Sequence, residues 1–237
     1  MARVKSKDTT DAPPVWLGRL VYGGLVAVLV GLGVLATGLA LGWADPRRAG
    51  PLWWENDFKA GAGGWEFEAP AGVSLATRDG ALVADFAGGA AEQWAVGLAP
   101  AATAPSGDFT LEVAGAASDE RGGGAVAYGL VFGWQDATHY SALLINANGY
   151  AEAYRRDGAA QVDWFAWQQW PHILVGTENN QLRVDVRGDV VTLRVNDEIV
   201  TTTTSTATTG QVGVVAVARA AAGGRVVFSW ARLWGAP

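Results

Sequence analysis

Two carboxylates one residue apart, Glu66 and Glu68 in Trp65-Glu66-Phe67-Glu68-Ala69, are the first candidates for acid–base chemistry in this chain of 237 residues. On an extended strand both point to one face, as a glycosidic acid and its nucleophile must. An exposed edge strand accounts for them equally well. With 0 Cys the chain offers no thiolate nucleophile, no disulfide and no lipid-attachment cysteine. Its 2 histidines, His139 and His172, stand in strand-like contexts without H-x-x-H or H-x-x-x-H spacing, which favours structural roles over zinc. Asp119-Glu120 sits in a glycine-rich loop and reads as a solvated turn. The densest constellation is Val162-Asp163-Trp164-Phe165-Ala166-Trp167-Gln168-Gln169-Trp170. Its 3 Trp and 1 Phe exceed what one strand face buries, so at least one ring is expected to be exposed. Exposed rings of Trp164, Trp167 or Trp170 can stack on the apolar faces of sugars while Gln168, Gln169 and Asp163 bond the hydroxyls. The same cluster can serve as a protein contact, rest on lipid headgroups, or cap the open end of a sandwich.

Whatever these side chains do, they are tethered. Leu20–Ala44 contains no charged residue, and at ~1.5 Å per residue its 25 residues make a helix of ~37 Å, enough to cross a ~30 Å hydrocarbon layer. The run is longer than the apolar core of a cleaved signal peptide and Gly42–Gly50 offers no A-x-A site, so it reads as a retained signal anchor. Arg3, Lys5, Lys7 and Arg19 precede it, whereas only Arg47 and Arg48 follow closely; the positive-inside rule places the N terminus in the cytoplasm and the remainder outside the cytoplasmic membrane. Trp16 and Trp43, ~40 Å apart on a helix, are placed to anchor at the two interfaces, with Trp53 and Trp54 near the outer surface. Gly24, Gly31 and Gly38 recur every seven residues and Gly42 extends the stripe, a surface on which another membrane helix can pack closely. The expected segments are a cytoplasmic tail 1–19, a transmembrane helix 20–44, a linker 45–64 and an ectodomain 65–237. The ectodomain side carries 13 basic against 21 acidic residues, which argues against a nucleic-acid partner.

Beyond residue 45 no stretch keeps a helical period. Short β-branched and aromatic runs such as Ala81–Phe86, Phe109–Gly115, Val126–Trp134, His139–Asn146, His172–Gly176, Gln211–Arg219 and Arg225–Trp234 are separated by Gly, Asp and Asn turns. About a dozen strands at that spacing predict an all-β antiparallel sandwich or jelly roll. Leu182–Asn196 predicts a hairpin around Gly188-Asp189, with Leu182, Val184 and Val186 inside and Arg183, Asp185 and Arg187 in water. Alternation places Tyr128, Leu130, Phe132 and Trp134 on one face, with Gly129, Val131 and Gly133 on the other, where the glycines permit curvature or close approach. It likewise places Val226, Phe228, Trp230, Arg232 and Trp234 together.

The order of Asp57-Phe58, Trp65, Asp79-Gly80-Ala81-Leu82, Gly107–Val113, Tyr128–Phe132, His139-Tyr140, Asn148-Gly149-Tyr150, Asn180–Val184, Val195–Glu198, Gly210–Gly213 and Val226–Phe228 resembles the concanavalin A-like lectin/glucanase superfamily, especially laminin-G-like and 3-keto-disaccharide-hydrolase-like domains. The resemblance spans nearly all of residues 55–237 and implies a two-sheet antiparallel jelly-roll sandwich behind one transmembrane α-helix. It fixes no activity, because the shared patterns mark turns and strands. Retaining glucanases of the superfamily carry E-x-D-x-x-E on one strand, and nothing here matches it. The resemblance also raises a structural calcium held by loop oxygens, with Asp136, Asn146, Asn148 and Asp157 as contributors; no other cofactor is expected. The expected role is a membrane-anchored, non-catalytic recognition or scaffold module, as an accessory subunit held to other membrane proteins through the helix. The alternative is a lectin-like, carbohydrate-binding module, and a glycoside-hydrolase-like enzyme is the third option.

Overall fold

The computed structural model describes residues 15–40, 50–89, 92–117, 125–206, 208–219 and 223–235. The chain divides into two units, Met1–Pro46 and Arg47–Pro237. In the first, α1 spans Val15–Ala40, and its segment Arg19–Thr37 is long and apolar enough to cross a membrane. Thr37 Oγ1 donates to the carbonyl of Gly33 at 2.8 Å, so the hydroxyl in this apolar stretch is satisfied within the helix. Trp16 is exposed, and a Cβ added at Gly24 or Gly31 meets nothing within 4 Å. Gly38 lies within α1; Gly42, Trp43, Asp119 and Glu120 fall outside the described residues.

In the second unit the strands are β1 (Leu52–Asn56), β2 (Glu66–Glu68), β3 (Val73–Arg78), β4 (Ala81–Phe86), β5 (Gln93–Leu98), β6 (Phe109–Ala117), β7 (Val126–Asp136), β8 (His139–Asn146), β9 (Tyr150–Asp157), β10 (Ala160–Gln169), β11 (Asn180–Arg187), β12 (Val190–Val195), β13 (Glu198–Thr204), β14 (Gln211–Ala218) and β15 (Gly224–Trp234). Among the described residues they form an eight-stranded sheet ordered β13-β12-β11-β6-β15-β4-β3, with β1 also on β15, and a seven-stranded sheet ordered β10-β9-β8-β7-β14-β5-β2. Every pairing is antiparallel. Two-residue turns set the registers the sequence predicts. Asp79-Gly80 and Asn196-Asp197 have positive φ at both positions, and Gly188 supplies it at the start of the β11–β12 turn. The core between the sheets contains Leu111, Tyr128, Leu130, Phe132, Ile145, Leu182, Leu193, Val214 and Phe228, with Tyr128 and Phe228 edge to face at 6.3 Å.

Several expectations are corrected. Residues 52–56 are not linker: β4 pairs with residues 224–228 of β15, and β1 takes the same side of that strand further along, from Ala231 to Trp234. Without β1 the C-terminal half of β15 would lack ladder partners on that side. Trp54 packs on Trp65 at 5.3 Å, and Phe58, at φ 59, is buried edge-on against Trp65 at 5.2 Å; Trp53 is half exposed. In β7 the register slips against both β8 and β14 around Gly133, whose φ is 60, and this bulge swings Trp134 away from Tyr128, Leu130 and Phe132. In β15 a second slip at Ser229 brings Ala231 and Leu233 inward and turns Trp230 and Arg232 out, stacked with Arg232 Cζ 4.5 Å from the Trp230 ring. His172–Gly176 forms turns rather than a strand, with only Ile173 inserted in the core.

The outer face of β11 is not wet. Arg183 is 2% exposed, bonded through Nη1 to Glu112 Oε1 at 3.0 Å and through Nε and Nη2 to both Asp185 oxygens at 2.8 and 2.7 Å. Burial opposes its charge, but Asp185 and Glu112 outweigh burial and leave the Arg183 pKa raised.

Candidate functional site

The seven-stranded sheet has two apolar faces. Inward residues join the sandwich core, and outward ones form a second cluster of Val96, Leu98, Ala127, Val131, Trp134, Ala142, Leu144, Tyr154, Val215 and Val217, with Trp94, Tyr140 and Trp167 packed on it. Small and β-branched floor residues leave height for rings to lie over the strands. Trp134 faces Trp94 at 6.3 Å and Tyr140 at 5.1 Å, and Tyr140 meets Tyr154 at 6.0 Å, giving a row of four aromatics. Beside it opens a cavity of about 110 Å³, lined by this row and by Glu92, Arg156, Gln161 and Arg219 among others. The Tyr140 and Tyr154 hydroxyls share one hydrogen bond at 3.4 Å, and burial raises the Tyr154 pKa.

Cross-strand pairing explains the polar rim. Arg156 stands opposite Tyr140 on one side and Gln161 on the other, and Tyr154 stands between Ala142 and Asp163. Further along β9, buried Glu152 pairs with Arg219, whose guanidinium lies 4.5 Å from the centre of the Trp167 ring. Burial raises the Glu152 pKa; Arg219 counteracts it, and Asp163 and Glu92 add to it. Trp167 also stacks on Tyr150 at 5.9 Å.

The predicted aromatic cluster is divided between the two faces. β10 is an edge strand whose register slips twice, between Asp163 and Phe165 and between Phe165 and Gln168. Trp164, Phe165 and Trp170 consequently pack on the sandwich core, Trp164 6.1 Å from Phe132, while Trp167 joins the outer face. All three Trp are half-buried, so the expectation of an exposed ring is corrected: the bulges let one strand feed both faces. Gln168 and Gln169 are exposed, and Asp163 accepts from Gln161 Nε2 at 2.7 Å. Glu66 and Glu68 are exposed on edge strand β2, with Gln211 Nε2 3.4 Å from Glu66.

His139 Nδ1 lies 2.9 Å from Asp136 Oδ2, and His139 Nε2 lies 3.7 Å from Asp157. Thr138 and His139 hold the Asp136 carboxyl at a pKa of about 2. Asn146 and Asn148 sit at the opposite end of β8, seven residues or ~23 Å from His139, where Asn146 Oδ1 accepts the turn amides of Asn148 and Tyr150. The four residues proposed for calcium are therefore not brought together, and the described residues hold no group of three or more His, Cys, Asp or Glu fit for a metal. His172 is ring-packed on Trp170 at 5.8 Å and its carbonyl accepts from Asn196, consistent with a structural role. That segment is pinned by buried Asn180, which bonds both backbone atoms of Leu174 and the Tyr128 hydroxyl; burial, opposed by the Asn180 bond, pushes the Tyr128 pKa to about 12.

Sequence reading missed the outer face. The signal was the absence of alternation: Ala142–Ile145 and Val212–Ala218 are apolar at successive positions, as in a sheet covered on both sides.

Neither a protein-family model nor a curated protein matches the sequence. Solved structures match the fold. A carbohydrate-binding module, CBM66, from Bacillus subtilis is 19% identical with a TM-score of 0.52, over 70% of this chain and 92% of its own. The catalytic domain of an endo-1,3-beta-glucanase (laminarinase) from Thermotoga petrophila is 9% identical at TM-score 0.55, over 79% and 98%. A Bacillus subtilis protein of unknown function with a galectin-like fold is 12% identical at 0.57, over 79% and 97%. These similarities show the fold alone, a jelly-roll sandwich of the concanavalin A-like type. In this chain it follows an apolar N-terminal helix.

Proposed function

We propose that the protein is a membrane-anchored carbohydrate-binding module that holds a glycan on the outer face of the seven-stranded sheet without cleaving it. The observation that carries this reading is the row Trp94–Trp134–Tyr140–Tyr154 beside a cavity with a polar rim. Sugar rings offer apolar C–H faces to aromatics and hydroxyls to a rim of charged and amide groups, and such mixed lining is what fixes a small ligand's orientation. Fold neighbours that include a carbohydrate-binding module support it, as does the absence of an E-x-D-x-x-E pattern. Hydrolysis needs two carboxylates free to work across one bond, and Glu152, the acid buried on this face, is engaged by Arg219. In this reading α1 is a signal anchor with its N terminus in the cytoplasm, so the sandwich meets glycans outside the cytoplasmic membrane.

The test uses the whole chain in detergent on a broad glycan array, with Trp94→Ala beside the native protein. Loss of one ring contact is expected to weaken binding by about tenfold or more. Silence of the native protein across the array would refute the reading. A second reading, association with other membrane subunits, rests on the Gly24 and Gly31 positions of α1, where the helix surface stands open.

A further inference from the structure

The cavity is electrostatically two-ended. At one end Arg219 is engaged by Glu152, with Glu92 near enough to influence that pair. Four residues along β9, ~13 Å away, stands Arg156, whose guanidinium makes no hydrogen bond or ion pair among the described residues. The carboxylates on its own and neighbouring strands are already engaged, Asp163 by Gln161, Asp157 by Arg155, and Asp136 by Thr138 and His139, while Glu92 lies toward the Arg219 end.

Arg156 also lines a second cavity of about 150 Å³ with Gln135, His139, Tyr140, Arg155 and Asp157, so it borders both spaces. Unspent donors stand around it. Arg156 has five N–H bonds and no acceptor. Tyr140 and Tyr154 share one hydroxyl proton between them, which leaves the other hydroxyl proton unspent beside the cavity. Arg155 Nε is buried without a partner at the border of the second cavity. A guanidinium without a partner beside an aromatic platform matches a group that only accepts, and a carboxylate fits a guanidinium fork through two parallel bonds.

We infer that the ligand is an acidic glycan, one whose sugars carry a carboxylate, and that Arg156 is the residue that receives it. This rests on the carbohydrate-binding reading. It also orients the ligand, with the acid toward β8–β9 and neutral hydroxyls toward Glu92 and Trp94. The acidic balance of the ectodomain slows encounter with a polyanion, but charges beyond ~8 Å are largely screened at physiological salt, so the local donor set decides affinity.

The experiment measures binding of polygalacturonate, polymannuronate and hyaluronan, each against its own methyl ester, to the whole chain in detergent. The esters keep the sugar and remove the charge. At least one acid form is expected to bind about tenfold more tightly than its ester, since charge-assisted bonds are the stronger class. Arg156→Gln should erase that preference and Arg156→Lys retain part of it, with the thermal midpoint of each variant checking the fold. Equal binding of every acid and its ester, or a preference that survives Arg156→Gln, overturns the inference. Binding to neutral glycans that Trp94→Ala abolishes, with no preference for acids, overturns it while leaving carbohydrate recognition standing. No binding to any acidic or neutral glycan overturns both.

Discussion

Arg183 shows how a single side chain can decide what a sheet face is. Its cross-strand neighbours are Glu112 on β6 and Arg194 on β12, and its fork grips Asp185 two residues along its own strand. Two like charges face each other directly, an arrangement that destabilises a sheet unless a carboxylate intervenes, and Asp185 lies within ion-pair distance of both. Removing a charge from a buried set leaves its partners uncompensated, so Arg183→Met is expected to lower stability by about 3–5 kcal/mol. Chemical denaturation followed by tryptophan fluorescence reads that loss. Adding Glu112→Leu should recover part of it, because Asp185 keeps Thr110, Arg187 and Arg194. A double variant no more stable than the single one would show that Glu112 and Arg183 do not act as a unit.

At the scale of strands, the turns were readable from residue type and the bulges were not. Asp79-Gly80, Gly188-Asp189 and Asn196-Asp197 announce their hairpins through residues that tolerate positive φ. Gly129 and Gly133 both permit curvature in Val126–Asp136, but residue type does not say that Gly133 is the one that adds a residue to β7, so strict alternation assigned Trp134 to the wrong face. The same blindness divided Trp164 from Trp167 and reversed Trp230 and Arg232, and with them went the location of the candidate site. Periodicity reports a face only while register holds, and an inserted residue inverts every assignment after it. Gly133→Val tests this, since a branched side chain at positive φ costs roughly 1–2 kcal/mol. A lower thermal midpoint is expected together with weaker glycan binding, because Trp134 loses the backbone that aims it. Undiminished binding in the destabilised variant would show that another element places the ring.

For the molecule as a whole, composition and the apolar run gave the division into helix and sandwich, whereas the first strand was hidden behind Asp-Pro and Gly-Pro breakers that precede it. If α1 carries a helix partner, the open glycine positions are where it packs. Gly31→Ile places a branched side chain there and should abolish self-association or co-purification of partners in mild detergent; unchanged association would remove the helix from the interaction surface. The pairing of β1 with β15 has a mechanical consequence. If α1 is a membrane anchor and the outer face holds a polymer, tension drawn through the segment before β1 passes through the rungs that join β1 to β15. That antiparallel ladder is the fuse of the assembly, the place where a strong pull would first open the sandwich.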